Sequence, residues 1–375
     1  MAVRLLTFGL SGVTFGGIEA FVVAFRRHLQ GNCFFDFVLL ENNTIQAYTE
    51  KDARSRVFQI APYWSHPFSY IRGMVRLFRA QRDSLDAVYC NVFNTLHILP
   101  ALIARLMGLK VIVHAHNNRI PSRNVLYRMG CFIGKQLLRR CECLRLSNSD
   151  DSTAFIFGKD RIGQTHVIYN AIEIEQFRFD AAAREQIRKE WGVGDKVVVG
   201  FSGRLLEQKN PLFALRVFEQ FNRLHPESVL VIAGEGALRT EIEAWIEKKC
   251  LQHCVLLTGQ SRQMSKLYQG MDLFLLPSLF EGLGIVLIEA QCAGLPCLTT
   301  ADTIPDLVDV TELIEREPLS SSPLQWAAHL EQLFQKRYKE RSTYSHEIAA
   351  SRFNIQTEAL RFAKLVQQYI HESAD

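Results

Sequence analysis

Apolar runs of strand length alternate with helix-period segments along the whole chain, and this rhythm restricts the fold more than any other feature. In the first half the runs fall at residues 3–10, 34–40, 57–61, 87–91, 110–114 and 143–147, and in the second at 196–202, 228–233, 255–258, 272–276 and 296–299. Strand and helix alternation at this spacing implies parallel sheets wound by right-handed crossovers, an α/β fold. The pattern resets around Ile168-Tyr169-Asn170-Ala171-Ile172 and resumes after a polar helix near 183–191. Two domains are therefore expected, 1–170 and 178–353.

At 375 residues the chain can give each domain a substantial core. Its 48% hydrophobic and 22% charged residues are those of an ordinary soluble globular protein, and a net charge of +4 is too small to imply nucleic-acid binding. Charge is uneven locally: residues 101–145 hold nine basic side chains against a single acid, Glu142. Arg72, Arg76 and Arg79 recur at helical spacing, which suits a solvated helix face and equally an attraction to anionic lipid. The nine cysteines are odd in number and include no Cys-x-x-Cys, so they read as reduced, mostly buried thiols. The apolar stretch 5–21 is interrupted by Gly9, Gly12, Gly16 and Gly17 and lacks a signal cleavage site, and no apolar segment is long enough to span a bilayer. A cytoplasmic protein is expected, with peripheral contact at the inner face of the cell membrane.

The residues that could carry chemistry stand at strand ends. The run 273–276 leads into Ser278-Leu279-Phe280-Glu281-Gly282-Leu283-Gly284-Ile285, and helical character continues through Glu289. Two carboxylates thus lie eight positions apart around a Gly-x-Gly turn. Amides at such a strand-to-helix turn point at an anion, and a carboxylate on either side can accept hydroxyls, the pattern of a sugar-nucleotide site. Gly203-Arg204 through Lys209-Asn210-Pro211 also joins a strand to a helix, placing Arg204 and Lys209 where open α/β sheets hold ligands. Fixed cations there would stabilise a departing diphosphate more than a bound one. Gly234 and Gly259 end two further strands. The loop holding Gly16 and Gly17 follows the first strand but lacks dinucleotide-binding spacing, and the chain has no P-loop. His114 and His116 extend past the strand at 110–114, beside Asn117 and Arg119. With no third ligand near the histidines and no Asp-x-Asp, a site free of metal and cofactor is expected.

Pro277-Ser278, Phe280-Glu281-Gly282, Glu289-Ala290 and Ala293-Gly294-Leu295-Pro296 together resemble the family 4 (group 1) retaining glycosyltransferases, whose hallmark is two glutamates separated by seven residues. The resemblance implies the GT-B architecture, two Rossmann-like domains facing across a cleft, with a last helix in 354–375 packing back on the first domain. It assigns Glu289 to the ribose and Glu281, as a catalytic residue, to the sugar hydroxyls. Gly282, Leu283, Gly284, Ile285, Arg204 and Lys209 fall to the diphosphate, Gly259 to the base, and Gly16 and Gly17 to the phosphates and reacting sugar. His116 is assigned to the reacting centre. Ala171 and Asn210 depart from the pattern, since the family often has glycine at both. The implied reaction is retaining transfer from a nucleoside-diphosphate sugar, a UDP-sugar by preference. Ala115-His116-Asn117-Asn118-Arg119 is similar to bacterial exopolysaccharide and capsule glycosyltransferases, which implies a polyprenyl-diphosphate-linked saccharide acceptor with Asn117 and Arg119 on its side. Two other activities share the architecture: a sugar-nucleotide 2-epimerase, which needs no acceptor, and a non-catalytic nucleotide-sugar-binding subunit.

Overall fold

A computed structural model of the chain describes residues 2–10, 17–29, 31–40, 55–117, 124–261 and 263–372. The chain forms two compact units, Met1–Ala171 with Ile355–Asp375, and Ile172–Asn354.

Among its described residues the first unit has seven parallel strands: β1 (Val3–Phe8), β2 (Cys33–Leu40), β3 (Val57–Ile60), β4 (Ala87–Val92), β5 (Val111–Ala115), β6 (Leu144–Ser147) and β7 (His166–Val167). Their order across the sheet is β3-β2-β1-β4-β5-β6-β7. Successive side chains of a strand leave opposite faces, so β1 sends Leu5 into one apolar layer and Leu6 into the other. On the Leu5 side, Phe35, Phe37, Tyr89 and Ile112 meet the helix Gly17–His28 and one face of the helix Ile355–Glu372, namely Ala359, Phe362 and Val366. On the Leu6 side, Val88, Cys90, Val111 and Val113 meet Tyr70, Met74 and Phe78 of the helix Pro67–Gln81 and Ala101 and Ala104 of the helix Leu99–Leu106. Burial on both faces explains why the central strands β1, β2, β4 and β5 read as largely apolar runs. Asp36, buried on β2, is held by Arg4 at 2.9 Å and Arg56 at 2.6 Å.

The second unit carries six parallel strands, β8 (Val197–Ser202), β9 (Ser228–Ala233), β10 (Val255–Gly259), β11 (Leu273–Leu276), β12 (Cys297–Thr300) and β13 (Ile314–Glu317). Their order is β10-β9-β8-β11-β12-β13, so strand order reverses between β8 and β11. Residues 172–177, left between the two domains expected from the sequence, belong to this unit. Ile172 is buried and donates its amide to Phe353 O at 2.9 Å, while Cys292 Sγ lies 3.6 Å from Ile174 O. The polar residues around Ile172 and Ile174 hide these contacts from a reading of composition. All nine cysteines are free thiols, and only Cys250 is exposed. Among the described residues no helix is long and apolar enough to cross a membrane.

Candidate active site

In the second unit the loops after β8, β11 and β12 are knitted together at the carboxyl ends of the strands, at the reversal of strand order where open α/β sheets bind ligands. Leu279 donates its amide to Gln208 O at 2.8 Å, and Gln208 Nε2 donates to Phe280 O at 3.1 Å. Thr300 and Thr303 hydroxyls donate to Ser278 O at 3.0 and 2.8 Å. This stitching brings Lys209 Nζ to 2.6 Å from Glu281 Oε1, an atom that also accepts from Ser278 Oγ at 2.6 Å. Both charged side chains are largely buried. The pair therefore sets a cation and a hydroxyl acceptor side by side in a site that screens them little.

The second carboxylate has a different setting. Glu289 lies on the helix Ile285–Cys292 and accepts from Tyr268 Oη at 2.9 Å, while Tyr268 Oη sits 2.9 Å from Ser202 Oγ at the end of β8. Part of its surface is accessible, yet protein surrounds it closely enough that burial pushes its carboxyl up to about 7. The Tyr268 hydrogen bond and the charge of Lys209 pull the other way without prevailing. Glu289 is thus poised to change charge near neutrality.

Glycines make room for these approaches. Gly284 opens the helix Ile285–Cys292 at φ +82°, the left-handed region, which turns the chain sharply enough to present the first helical amides. A Cβ at Gly234 would fall 1.9 Å from Gly203 O, so the loop after β9 can lie against the loop after β8 only without one. Arg204 is exposed, Leu283 is buried, Ile285 is partly buried, and Gly282 has open space around it. Gly259 closes β10 with Glu235 Oε1 3.1 Å from its Cβ position.

In the first unit His116 follows β5, its amide bonded to Val92 O at 3.0 Å. Its Nε2 is 2.8 Å from Asn91 Oδ1. Asn91 Nδ2 donates to Phe8 O at 3.2 Å, which orients the amide so that its oxygen faces the ring; Nε2 therefore carries the proton and Nδ1 is the acceptor. Burial holds His116 down to about 3, so the ring is neutral throughout the physiological range. His114 is fully buried, accepts or donates at Nδ1 with Tyr89 Oη 2.7 Å away, and lies 4.1 Å from the His116 ring. Burial, and then His116, hold it well below its ordinary value. The ring of Phe21 meets both histidines edge-on, at 5.0 and 5.5 Å.

Of the residues singled out from the sequence, the structure unites Lys209 with Glu281 and places Glu289, Arg204, Gly259 and Gly282 to Ile285 on the same carboxyl edge of the second sheet. Gly17 begins the helix after β1 and Asn117 follows His116. Gly16 and Arg119 lie outside the described residues. Ser278, Tyr268, Ser202 and Asn91 were assigned no role from the sequence. Ser278 stood in the motif, and Asn91 and Ser202 are polar residues closing the apolar runs 87–91 and 196–202, but nothing in the sequence joined them to the histidine or to the second glutamate. Among the described residues no group of three or more His, Cys, Asp or Glu side chains is arranged to hold a metal ion.

Two Rossmann-like units in one chain, one of them with a lysine–carboxylate pair and a second, partly buried carboxylate at its switch point, are the makings of a GT-B transferase. The model of the group 1 glycosyl transferases matches residues 183–341. EpsF of Bacillus subtilis (strain 168), which carries the name of a glycosyltransferase, is 31% identical over 326 residues, covering 83% of this chain and 84% of its own. The chain belongs to the group 1 glycosyltransferases. The UDP-Gal:alpha-D-GlcNAc-diphosphoundecaprenol alpha-1,3-galactosyltransferase of Escherichia coli is 27% identical over 243 residues, 61% of this chain and 62% of that one. In fold, the chain matches Anabaena HepE, solved in complex with UDP, at a TM-score of 0.79 and 19% identity over 98% of this chain and 100% of that one. The fold is GT-B.

Proposed function

We propose that the protein transfers a sugar, with retention of configuration, from a UDP-sugar to a polyprenyl-diphosphate-linked saccharide in the synthesis of a surface polysaccharide. The observation that carries this reading is the meeting of Lys209 and Glu281 at 2.6 Å where strand order reverses, with Glu289 on the helix that follows. The names of the relatives support its finer parts: one binds UDP, and another takes UDP-Gal and a diphosphoundecaprenol-linked sugar.

In this reading Glu289 accepts the ribose hydroxyls and Glu281 those of the sugar. Lys209, Arg204 and the amides at the start of the helix Ile285–Cys292 take up the charge that grows on the leaving diphosphate, a stabilisation stronger in the transition state than in the ground state. These groups neutralise the diphosphate without a metal ion or cofactor. The bond from the anomeric carbon to the phosphate oxygen breaks, the acceptor oxygen bonds to that carbon on the same face, and the acceptor proton passes to the departing phosphate. His116, neutral with its proton fixed on Nε2, positions the reacting sugar, while Asn117 and Arg119 serve the acceptor side. The reaction belongs at the inner face of the cell membrane, where such acceptors are built.

Release of nucleoside diphosphate from a panel of UDP-, GDP- and ADP-sugars, with and without undecaprenyl-diphosphate-linked saccharides, tests the proposal. Acceptor-dependent release of UDP with an α-linked product from an α-linked donor is the expected result. Conversion of the donor with no acceptor present would reveal an epimerase, and donor binding with no turnover on any lipid-linked saccharide would leave a binding subunit.

A further inference from the structure

The helix Val125–Arg140 of the first unit is inverted for a surface helix. Its inner side is small, with Cys131, Gly134 and Leu138 buried and Gly134 so close to the turn at 95–98 that a Cβ would stand 2.0 Å from Thr95 O. Its outer side carries Val125, Leu126, Met129, Phe132, Ile133 and Leu137, with Leu126 77% and Phe132 64% exposed. Large apolar residues scattered singly on a surface need no explanation, but six along one helix face do.

The apolar surface continues beyond the helix. Asn94 Nδ2 donates to Tyr127 Oη at 3.0 Å, tying the helix to the turn after β4. From that turn ring contacts run without a break, Phe93 to His97 at 4.4 Å, His97 to Tyr63 at 5.4 Å, and Tyr63 to Trp64 at 5.0 Å. Trp64 is 65% exposed, and Phe68, in the first turn of the helix Pro67–Gln81, is 87% exposed.

Charge identifies what this surface meets. Residues 57–81 and 87–141 contain no aspartate or glutamate, and Arg72, Arg76, Arg79, Arg128 and Arg140 are exposed within them. A second copy docking by the same face would set arginine against arginine, and the described carboxylates at its margin, Asp160 and Glu142, are already taken up by Arg139 and Arg105. An anionic lipid surface supplies both requirements at once: acyl chains and interfacial headgroups for the aromatic and aliphatic side chains, and phosphates for the guanidinium groups.

We propose that the exposed face of the helix Val125–Arg140, with Trp64 and Phe68, seats the first unit on an anionic bilayer. The proposal needs neither the donor nor the acceptor assigned above, so it stands or falls separately from them.

The full chain is sedimented with phosphatidylcholine vesicles and with vesicles in which about a third of the lipid is phosphatidylglycerol. Binding to the anionic vesicles about tenfold tighter or more, and weakened by salt, is expected. Met129→Ser, Phe132→Ser and Ile133→Ser combined should lower that binding about tenfold with the thermal midpoint unchanged, since these side chains are exposed. Arg128→Glu with Arg140→Glu should abolish the preference for anionic lipid. Phe132→Trp offers a second readout, its fluorescence being quenched by brominated lipid. No binding of the wild type to either vesicle, full binding by the triple serine variant, or no quenching of the tryptophan would overturn the proposal. So would a wild-type dimer in light scattering that the triple variant dissolves, which would make the face a self-association surface.

Discussion

Lys209 has two partners to serve, Glu281 at 2.6 Å and, in the proposed reaction, a diphosphate. Lys209→Ala leaves Glu281 buried beside only Ser278, so a loss of about 3 kcal/mol in stability is expected on denaturant unfolding, with at least a tenfold weaker affinity for UDP by calorimetry. Affinity unchanged in a folded variant would remove Lys209 from the donor site. Glu289 makes a prediction about pH. Because its carboxyl is raised from 4.5 to about 7, the folded protein keeps a proton that the unfolded chain has already released. Stability therefore falls as pH rises from 4.5 through 7, by up to about 3 kcal/mol, and Glu289→Gln should flatten that slope in melts taken at steps across the range. Tyr268 donates to Glu289 and lowers its carboxyl, so Tyr268→Phe should move the pH dependence of KM for the donor upward and raise KM roughly tenfold at neutral pH, with a smaller effect on kcat. An unmoved pH profile would mean that Tyr268 merely fills space.

At the scale of elements, two turns decide whether the carboxyl edge of the second sheet is formed at all. Gly234→Ala would drive a methyl into Gly203 O at 1.9 Å and push the loops after β8 and β9 apart. Nucleotide binding should be lost in a protein whose far-UV spectrum is unchanged, while Gly284→Ala, which meets only the strain of φ +82°, should cost about 1 kcal/mol and weaken binding modestly. The same elements show what could be read in advance. Central strands such as β1, β8 and β9 are buried on both faces and declare themselves as apolar runs. The two missed strands, β7 and β13, are edges: β7 has two residues, and Ile314-Glu315-Arg316-Glu317 in β13 turns its carboxylates to His329 at 2.7 and 2.8 Å. An edge can do without a continuous apolar stretch, and these two lack one, whereas the edges β3 and β10 carry apolar runs and were legible. Glu281 and Glu289 were legible because their motif is local, whereas the groups that orient Glu289 and His116 are Tyr268, 21 residues away, and Asn91, 25 residues away. Such partners become visible only when strands are placed side by side.

Seen as a whole molecule, the first unit owes part of its core to residues that follow the entire second unit. Ile355, Ala359, Phe362 and Val366 lie in the same apolar layer as Phe35 and Tyr89, and the Phe362 ring stands 5.7 Å from that of Tyr89. A chain stopped at Asn354 should therefore keep a protease-resistant fragment spanning residues 172–354 that still binds UDP, while residues 2–171 are digested. Survival of both halves would show that the helix Ile355–Glu372 is dispensable. The discontinuity also fixes an order of events on the ribosome. As the polypeptide emerges, residues 172–354 can complete their fold while the unit that started first still lacks one wall. Nascent chains thus pass through a stage in which the earlier-made half waits, its layer around Phe35 open to chaperones and proteases, until the helix from Ile355 arrives.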